Sequence, residues 1–246
     1  MEAFEADPAL VWQFYSYRRH MALKAKPNRA HLALAELAKK KEHFQTISQN
    51  VDGKPPPQQP ILSLHLLHGN LFDVKCSSFF CRHHETNNFT DPIVPALAIP
   101  TTATSTPIDL TATPTELDIS DAATALPDTP LSALPHCPAC RTGLLRPGVV
   151  WFGEMLPQRT VAAIDDFVAA GDRVDLLLVI GTSSTVYPAA GYVGRARARG
   201  ARVAVVNVER TDALQDGDWF FQGDAGVVVP ELLRPVVGEV GDGEGL

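Results

Sequence analysis

The chain has 246 residues, four cysteines and a formal net charge of -7, and 45% of its residues are apolar. That length suits one large domain or a domain with a small module, and the apolar share is enough to bury a real core. The negative charge argues against a general attraction to nucleic acid, and no apolar run is long enough to cross a bilayer. The acidic start MEAFEADP has the pattern of neither a secretory signal nor a basic presequence. The cysteines are therefore expected to be reduced thiols of an intracellular, non-secreted protein.

In chain order, Asp7-Pro8 reads as a helix start, with Asp7 as N-cap and Pro8 at the first helical position. The helix carries Val11, Trp12, Phe14 and Tyr15 and is expected to end near Lys24. Tyr15 and Arg18 are spaced to share a face. They read either as a packing aromatic beside a solvated arginine or as a phenol and a guanidinium that together bind a carboxylate, a task the planar fork of arginine suits. Asn28 caps a second helix whose apolar stripe is Ala30, Leu34 and Leu37. The lysines Lys39, Lys40 and Lys41 complement the dipole at its C-terminal end.

Phe44 to Ser48 alternates as a short strand and delivers Gln49, Asn50 and Asp52 to its carboxyl end, where ligands bind in open α/β sheets. The proline-rich stretch from Gly53 to Pro60 reads as a surface loop. Next comes LHLLHGNLFDVKC, Leu64 to Cys76, which holds His68-Gly69 ahead of an apolar strand-like segment, Leu71 to Val74. A single histidine is more often structural than catalytic. This one stands between the polar cluster Gln49–Asp52 and the first cysteine.

Cys76 and Cys81 form one close pair, and Cys137 and Cys140, in HCPAC, form another. Two such pairs match a tetrahedral four-thiolate zinc site of structural type. Disulfides or free thiols are the alternative, disfavoured by the lack of an export signal. Asp91 to Pro135, rich in Thr, Ala and Pro and free of Lys and Arg, reads as a mostly disordered insertion within the zinc module.

Val149 to Phe152 reads as a strand lining a cleft, and Gln158 to Ala170 as an amphipathic helix closed by Gly171. Val174 to Ile180 is a buried parallel strand running into Gly181-Thr182-Ser183-Ser184. A helix from Pro188 to Arg199 and a strand from Arg202 to Val206, ending at Asn207-Val208-Glu209, complete a βαβ unit. Gln215 to Gly223 reads as a loop, Gly226 to Pro230 as a last short strand, Glu231 to Val237 as a terminal helix, and 238–246 as a disordered tail.

Six short stretches, in order, resemble the sirtuins, the NAD-dependent protein lysine deacylases. They are QNVD at Gln49–Asp52, LHG at Leu67–Gly69, the cysteine pairs, VVWFGE at Val149–Glu154, GTSS at Gly181–Ser184 and NVE at Asn207–Glu209. FYSYRR at Phe14–Arg19 and VYPAA at Val186–Ala190 are similar to the sirtuin-5-like, class III branch, which removes succinyl, malonyl and glutaryl groups. The fold implied is α/β. A Rossmann-like parallel sheet is built from 1–74 and 147–237, with a small zinc-ribbon module inserted at 75–146 whose disordered part covers about 85–135. Cofactor and peptide are expected to meet in a cleft.

The resemblance implies roles. His68 is the general base on a ribose hydroxyl of NAD, with Asn50 as the second catalytic residue. Gln49, Asn50 and Asp52 line the nicotinamide-ribose pocket. Gly181, Thr182 and Ser183 contact phosphates and ribose. Asn207 holds the adenosine ribose, Glu209 joins the cofactor-binding residues, and the Gln222–Ala225 loop approaches adenine. Val150, Trp151, Phe152, Gly153 and Glu154 pair with the substrate backbone. Tyr15 and Arg18 hold the acyl carboxylate, and Tyr187 joins the substrate site. Cys76, Cys81, Cys137 and Cys140 hold structural Zn2+. The partner is an acylated lysine of a protein substrate, with no direct nucleic-acid or membrane contact. A monomer is expected, in mitochondria or in the cytosol or nucleus.

Two family features are not found in the sequence as written. No glycine-rich strand and loop precedes Met1–Asp7, and GKPPPQQP stands where the family has a helical leucine-histidine segment. An N-terminally incomplete member is therefore expected, which as written binds NAD weakly and turns over little. The alternative function is an impaired sirtuin serving as an acyl-lysine or protein-binding module.

Overall fold

The computed structural model describes residues 1–53, 63–101, 115–121, 123–212 and 214–241. The first elements are α1 (Glu2–Ala6), α2 (Pro8–Lys24), α3 (Arg29–Lys40), β1 (Thr46–Ser48), β2 (Leu64–Leu66), β3 (Gly69–Cys76) and β4 (His84–Glu85). They are followed by β5 (Leu145–Val149), α4 (Gln158–Ala169), β6 (Leu176–Ile180), α5 (Gly191–Ala198), β7 (Arg202–Asn207), β8 (Trp219–Gln222) and α6 (Ala225–Val237). Two compact units result. One comprises Met1–Ala25, Val51–Gly53 and Gly69–Glu154, and the other Lys26–Asn50, Lys54–His68 and Met155–Leu246.

The first unit is a three-stranded antiparallel sheet, β4-β3-β5, with α1 and α2. Asp7 starts α2 as its composition demands, its carboxylate accepting the Leu10 N–H at 2.9 Å with Pro8 in the first turn. The helix buries Trp12, whose indole N–H donates to the Leu145 carbonyl at 2.8 Å. Around it pack Phe4, Val74, Leu97, Leu134 and Leu145. The expected strand across Val149–Phe152 is corrected: β5 ends at Val149, and a turn follows. Gly153, at φ +85°, takes a conformation open mainly to glycine, and the Glu154 carboxylate reaches back to accept the Trp151 N–H at 3.0 Å.

Arg19 is the buried pin of this unit, 1% exposed. It donates to the carbonyls of Leu71 and Asn88 at 2.7 Å and of Thr90 at 3.0 Å, and its guanidinium lies over the Phe72 ring. Burial lowers its pKa, with Asp91 and Glu85 pulling the other way. Arg19→Met leaves three carbonyls without their donor. It is expected to cost about 3 kcal/mol, or roughly 6–12 °C in melting temperature, measurable by thermal denaturation.

Composition predicts disorder across 85–135, yet the described residues of that stretch dock on α2. Gln13 donates to the Pro127 carbonyl at 2.7 Å, Ser16 to the Leu97 carbonyl at 2.8 Å, and Tyr17 to Asp118 at 3.0 Å. His20 stands between Asp91 at 2.6 Å and Glu116 at 3.0 Å. These polar side chains share one stripe of the helix, and Leu97 and Leu134 anchor the segment in the core, which together offset the chain entropy. Residues 102–114 and 122 of the expected insertion lie outside the described residues, as do 54–60 of the proline-rich loop and the end of the tail (242–246).

The second unit holds two parallel sheets, β1-β2 and β6-β7-β8. The βαβ crossing β6-α5-β7 is as expected, with Val179 opposite Val205 and Ile180 opposite Val206. Its helix begins at Gly191, after a turn closed by the Ala190 N–H on the Val186 carbonyl at 2.9 Å. Two expectations are overturned here. Gln215–Gly223 is not all loop: Trp219 to Gln222 forms β8, pairing in parallel with Ala204 to Asn207. Gly226–Pro230 is not a strand but the first half of α6. Asp224 caps that helix, and Val229, Leu233 and Val237 recur at helical spacing to pack on Ala30, Ala33 and Leu37 of α3. Tertiary burial outweighs the β-propensity of the valine run.

Candidate functional site

In the second unit, three neighbouring parallel strands end side by side. β6 runs into Gly181, β7 into Asn207 and Val208, and β8 into Gly223. Gly181 sits at φ +61° with open space where a Cβ would project, so the backbone conformation is what demands glycine. Its N–H donates to the Val206 carbonyl at 3.0 Å, and beyond it the Thr182 hydroxyl accepts the Ser184 N–H at 3.1 Å while the Ser183 and Thr185 hydroxyls are 2.9 Å apart. The Asn207 carbonyl accepts the Gly223 N–H at 3.0 Å, and the Gln222 amide donates to the Val208 carbonyl at 3.0 Å. Immediately beyond, Asp224 accepts the Gly226 N–H at 2.7 Å and opens α6, with Ala225 in its first turn. Glycine backbone, small hydroxyls, an asparagine and a helix N-terminus thus lie at adjoining strand ends, the place where open α/β sheets bind ligands and helix N-termini favour anions.

The strand β1 brings Gln49 and Asn50 to the same end of the unit. The Gln49 amide donates to the Thr182 hydroxyl at 3.3 Å, and Asn50 is exposed. His68 follows β2 in a turn, half-buried, with Nδ1 at 3.0 Å from the Gln49 carbonyl. A carbonyl can only accept, so Nδ1 carries the proton. In the neutral ring Nε2 then keeps its lone pair, the form required of a general base.

In the first unit, α2 carries Tyr15 and Arg18. The Tyr15 hydroxyl accepts the Trp151 indole N–H at 2.8 Å. Arg18 is exposed, with its guanidinium over the Phe14 ring at 5.5 Å, and it has no ion-pair partner among the described residues. Val150 is half-buried and Phe152 is 98% exposed, while the Trp151 N–H and carbonyl are both taken by Glu154 in the turn. The Glu154 carboxylate is used internally, paired with Arg146 and holding the Trp151 N–H. Asp52, Glu209 and Tyr187 are exposed.

The four cysteines converge. Their sulfurs all lie within 4.8 Å of one another, with Cys76–Cys140 at 3.6 Å and Cys81–Cys137 at 3.7 Å. Tetrahedral zinc with Zn–S bonds of about 2.3 Å places sulfurs about 3.8 Å apart, so the quartet fits the metal; disulfides need about 2.05 Å. Backbone N–H groups of Gly143 and Thr142 pull the Cys140 thiol down to about 6, while burial pushes Cys76 up to about 12. Ser78 and Gly143 each donate a backbone N–H to sulfur at 3.4 Å, a pattern that supports thiolate ligands.

Residues 1–188 match the model of the Sir2 family. The chain belongs to the Sir2 family. A Candida albicans relative named as an NAD-dependent protein deacylase is 44% identical, over 97% of this chain and 83% of its own length. The mitochondrial NAD-dependent protein deacylase sirtuin-5 of Xenopus tropicalis is 38% identical, over 94% and 69%. The solved structure of a Sir2 homologue in complex with NAD superposes with a TM-score of 0.70 at 31% identity, over 96% of this chain and 74% of that one.

Sequence reasoning about this Sir2 chain missed Arg146. It is 5% exposed, paired with Glu154 and stacked over Trp151 at 4.2 Å, and its Nη1 has no acceptor among the described residues. An arginine in a strand next to proline carries no signal of such a role; only the folded turn at 151–154 reveals it. No helix among the described residues is long and apolar enough to cross a membrane.

Proposed function

We propose that this Sir2 chain is an intracellular NAD-dependent protein lysine deacylase that favours acyl groups ending in a carboxylate, namely succinyl, malonyl and glutaryl. The observation that carries the reading is His68, whose Nδ1 is tied to the Gln49 carbonyl at 3.0 Å beside the Gln49–Thr182 contact. NAD, when bound, supplies a ribose carbon made electrophilic by departure of nicotinamide. His68 Nε2 takes the proton from a ribose hydroxyl and later returns it. Gln49 and Asn50 hold the nicotinamide ribose. Gly181, Thr182 and Ser183 hold phosphates by backbone and hydroxyl, and Asn207, Glu209 and the backbone at Ala225 hold the adenosine end. The backbone at Val150, Phe152 and Gly153 pairs with the substrate peptide.

Acyl choice rests on Tyr15 and Arg18. The Arg18 charge has no carboxylate partner among the described residues and sits on the same helix as the Tyr15 hydroxyl, which supports capture of an acidic acyl tail. Deacylation kinetics on one peptide carrying succinyl or acetyl tests this. Wild type is expected to favour succinyl. Arg18→Met is expected to lower its kcat/KM by about 10- to 100-fold, with a much smaller effect on acetyl, the loss of a charge-assisted hydrogen bond. Equal losses for both acyl groups would refute the assignment.

A further inference from the structure

The hydrogen bond behind Tyr15 has a direction. Trp151 Nε1 lies 2.8 Å from the Tyr15 hydroxyl oxygen, and an indole N–H can only donate. The Tyr15 oxygen is therefore the acceptor, and its own O–H is left to donate elsewhere. The indole is held from several sides. Its backbone N–H is accepted by Glu154 at 3.0 Å, its face lies 4.2 Å from the Arg146 guanidinium carbon, and the Phe4 ring is 5.6 Å away. Arg146 is buried and paired with the same Glu154. A buried guanidinium thus fixes both the turn that carries Trp151 and the plane of its ring.

We infer that Trp151 is a specificity residue for the acyl group. By filling the acceptor side of the Tyr15 hydroxyl, it commits the phenolic proton to an incoming carboxylate, and Arg146 is the positioning residue that holds the indole in place. The inference deepens the reading of Tyr15 and Arg18 as the carboxylate-binding pair and rests on it. A hydroxyl without that donor would also turn its O–H toward a carboxylate, but only after giving up rotational freedom and other partners, so the indole acts by pre-orienting the phenol. An acetyl group has no second carboxylate, so the orientation of Tyr15 does little for it.

The test is a double-mutant cycle read on the ratio of kcat/KM for succinyl over acetyl peptide, in wild type, Trp151→Phe, Tyr15→Phe and the double variant. Trp151→Phe is expected to lower the ratio about tenfold, in KM for the succinyl peptide rather than in kcat. In the Tyr15→Phe background it is expected to lower the ratio no further. Arg146→Lys keeps a cation for Glu154 but loses the planar stack, and is expected to give a smaller fall that also vanishes with Tyr15→Phe; it serves as the second probe should Trp151→Phe not fold. A ratio unchanged by Trp151→Phe, or a fall of equal size in both backgrounds, overturns the inference while leaving the carboxylate reading intact. A wild-type enzyme with no preference for succinyl overturns both, and shows it before any variant is made.

Discussion

His68→Ala is expected to lower kcat for formation of the deacylated lysine by about 10²–10⁴-fold, the range for removal of a positioned general base. The geometry explains why the effect should be large and local. The ring is oriented by a main-chain carbonyl, that of Gln49, at 3.0 Å. No change of the Gln49 side chain removes that acceptor, so the tautomer is built into the backbone where β1 and β2 end. The half-buried ring makes a single hydrogen bond among the described residues, so the melting temperature should fall by no more than about 4 °C. Single-turnover measurement of deacylated peptide, with thermal denaturation of the same sample, separates the two effects. Activity within tenfold of wild type would remove His68 from the mechanism.

Removal of the metal is expected to have the largest effect on stability. Cys137 is 1% exposed and packs in the core with Trp12, Val74, Leu97, Leu134 and Leu145, so the sulfur cluster is part of that core rather than an appendage. The pairing of β3 with β5 sets Cys76 opposite Leu145, next to the knuckle that carries Cys137 and Cys140. Four sulfurs within 4.8 Å of one another cannot all ionise without a cation between them. Zinc binding to such quartets is folding free energy. Chelation, or Cys137→Ser, is expected to cost on the order of 5 kcal/mol, roughly 10–20 °C in melting temperature. Elemental analysis should find one zinc per wild-type chain and none in Cys137→Ser. A metal-free wild-type chain with unchanged melting would contradict a structural metal.

What could be read from the sequence was what local chemistry determines. Asp7-Pro8 and Asn28 mark helix starts because a capping side chain acts within a few residues, and Asn28 indeed accepts the Ala30 and His31 N–H groups at 3.0 and 3.2 Å. The cysteine quartet was legible because metal geometry constrains spacing. The valine run of α6 misled because its helical burial on α3 comes from residues far away in the chain. β8 was hidden by its shortness and flanking glycines, and the docking of 85–135 on α2 by contacts made across long separations, such as Gln13 to Pro127. In the candidate site the residue types could be read in advance. The direction of the Trp151–Tyr15 bond, the tautomer of His68 and the role of Arg146 could not, since each depends on an atom brought in by the fold.

An NAD-dependent deacylase of this family consumes one NAD for each lysine it frees. Mass spectrometry of the intact chain incubated with NAD and a succinyl-lysyl peptide should find free lysine, nicotinamide and succinyl-ADP-ribose in equal amounts, and none of them when NAD is omitted. Deacylated peptide formed without NAD, or NAD left whole while the peptide stays acylated, would contradict it.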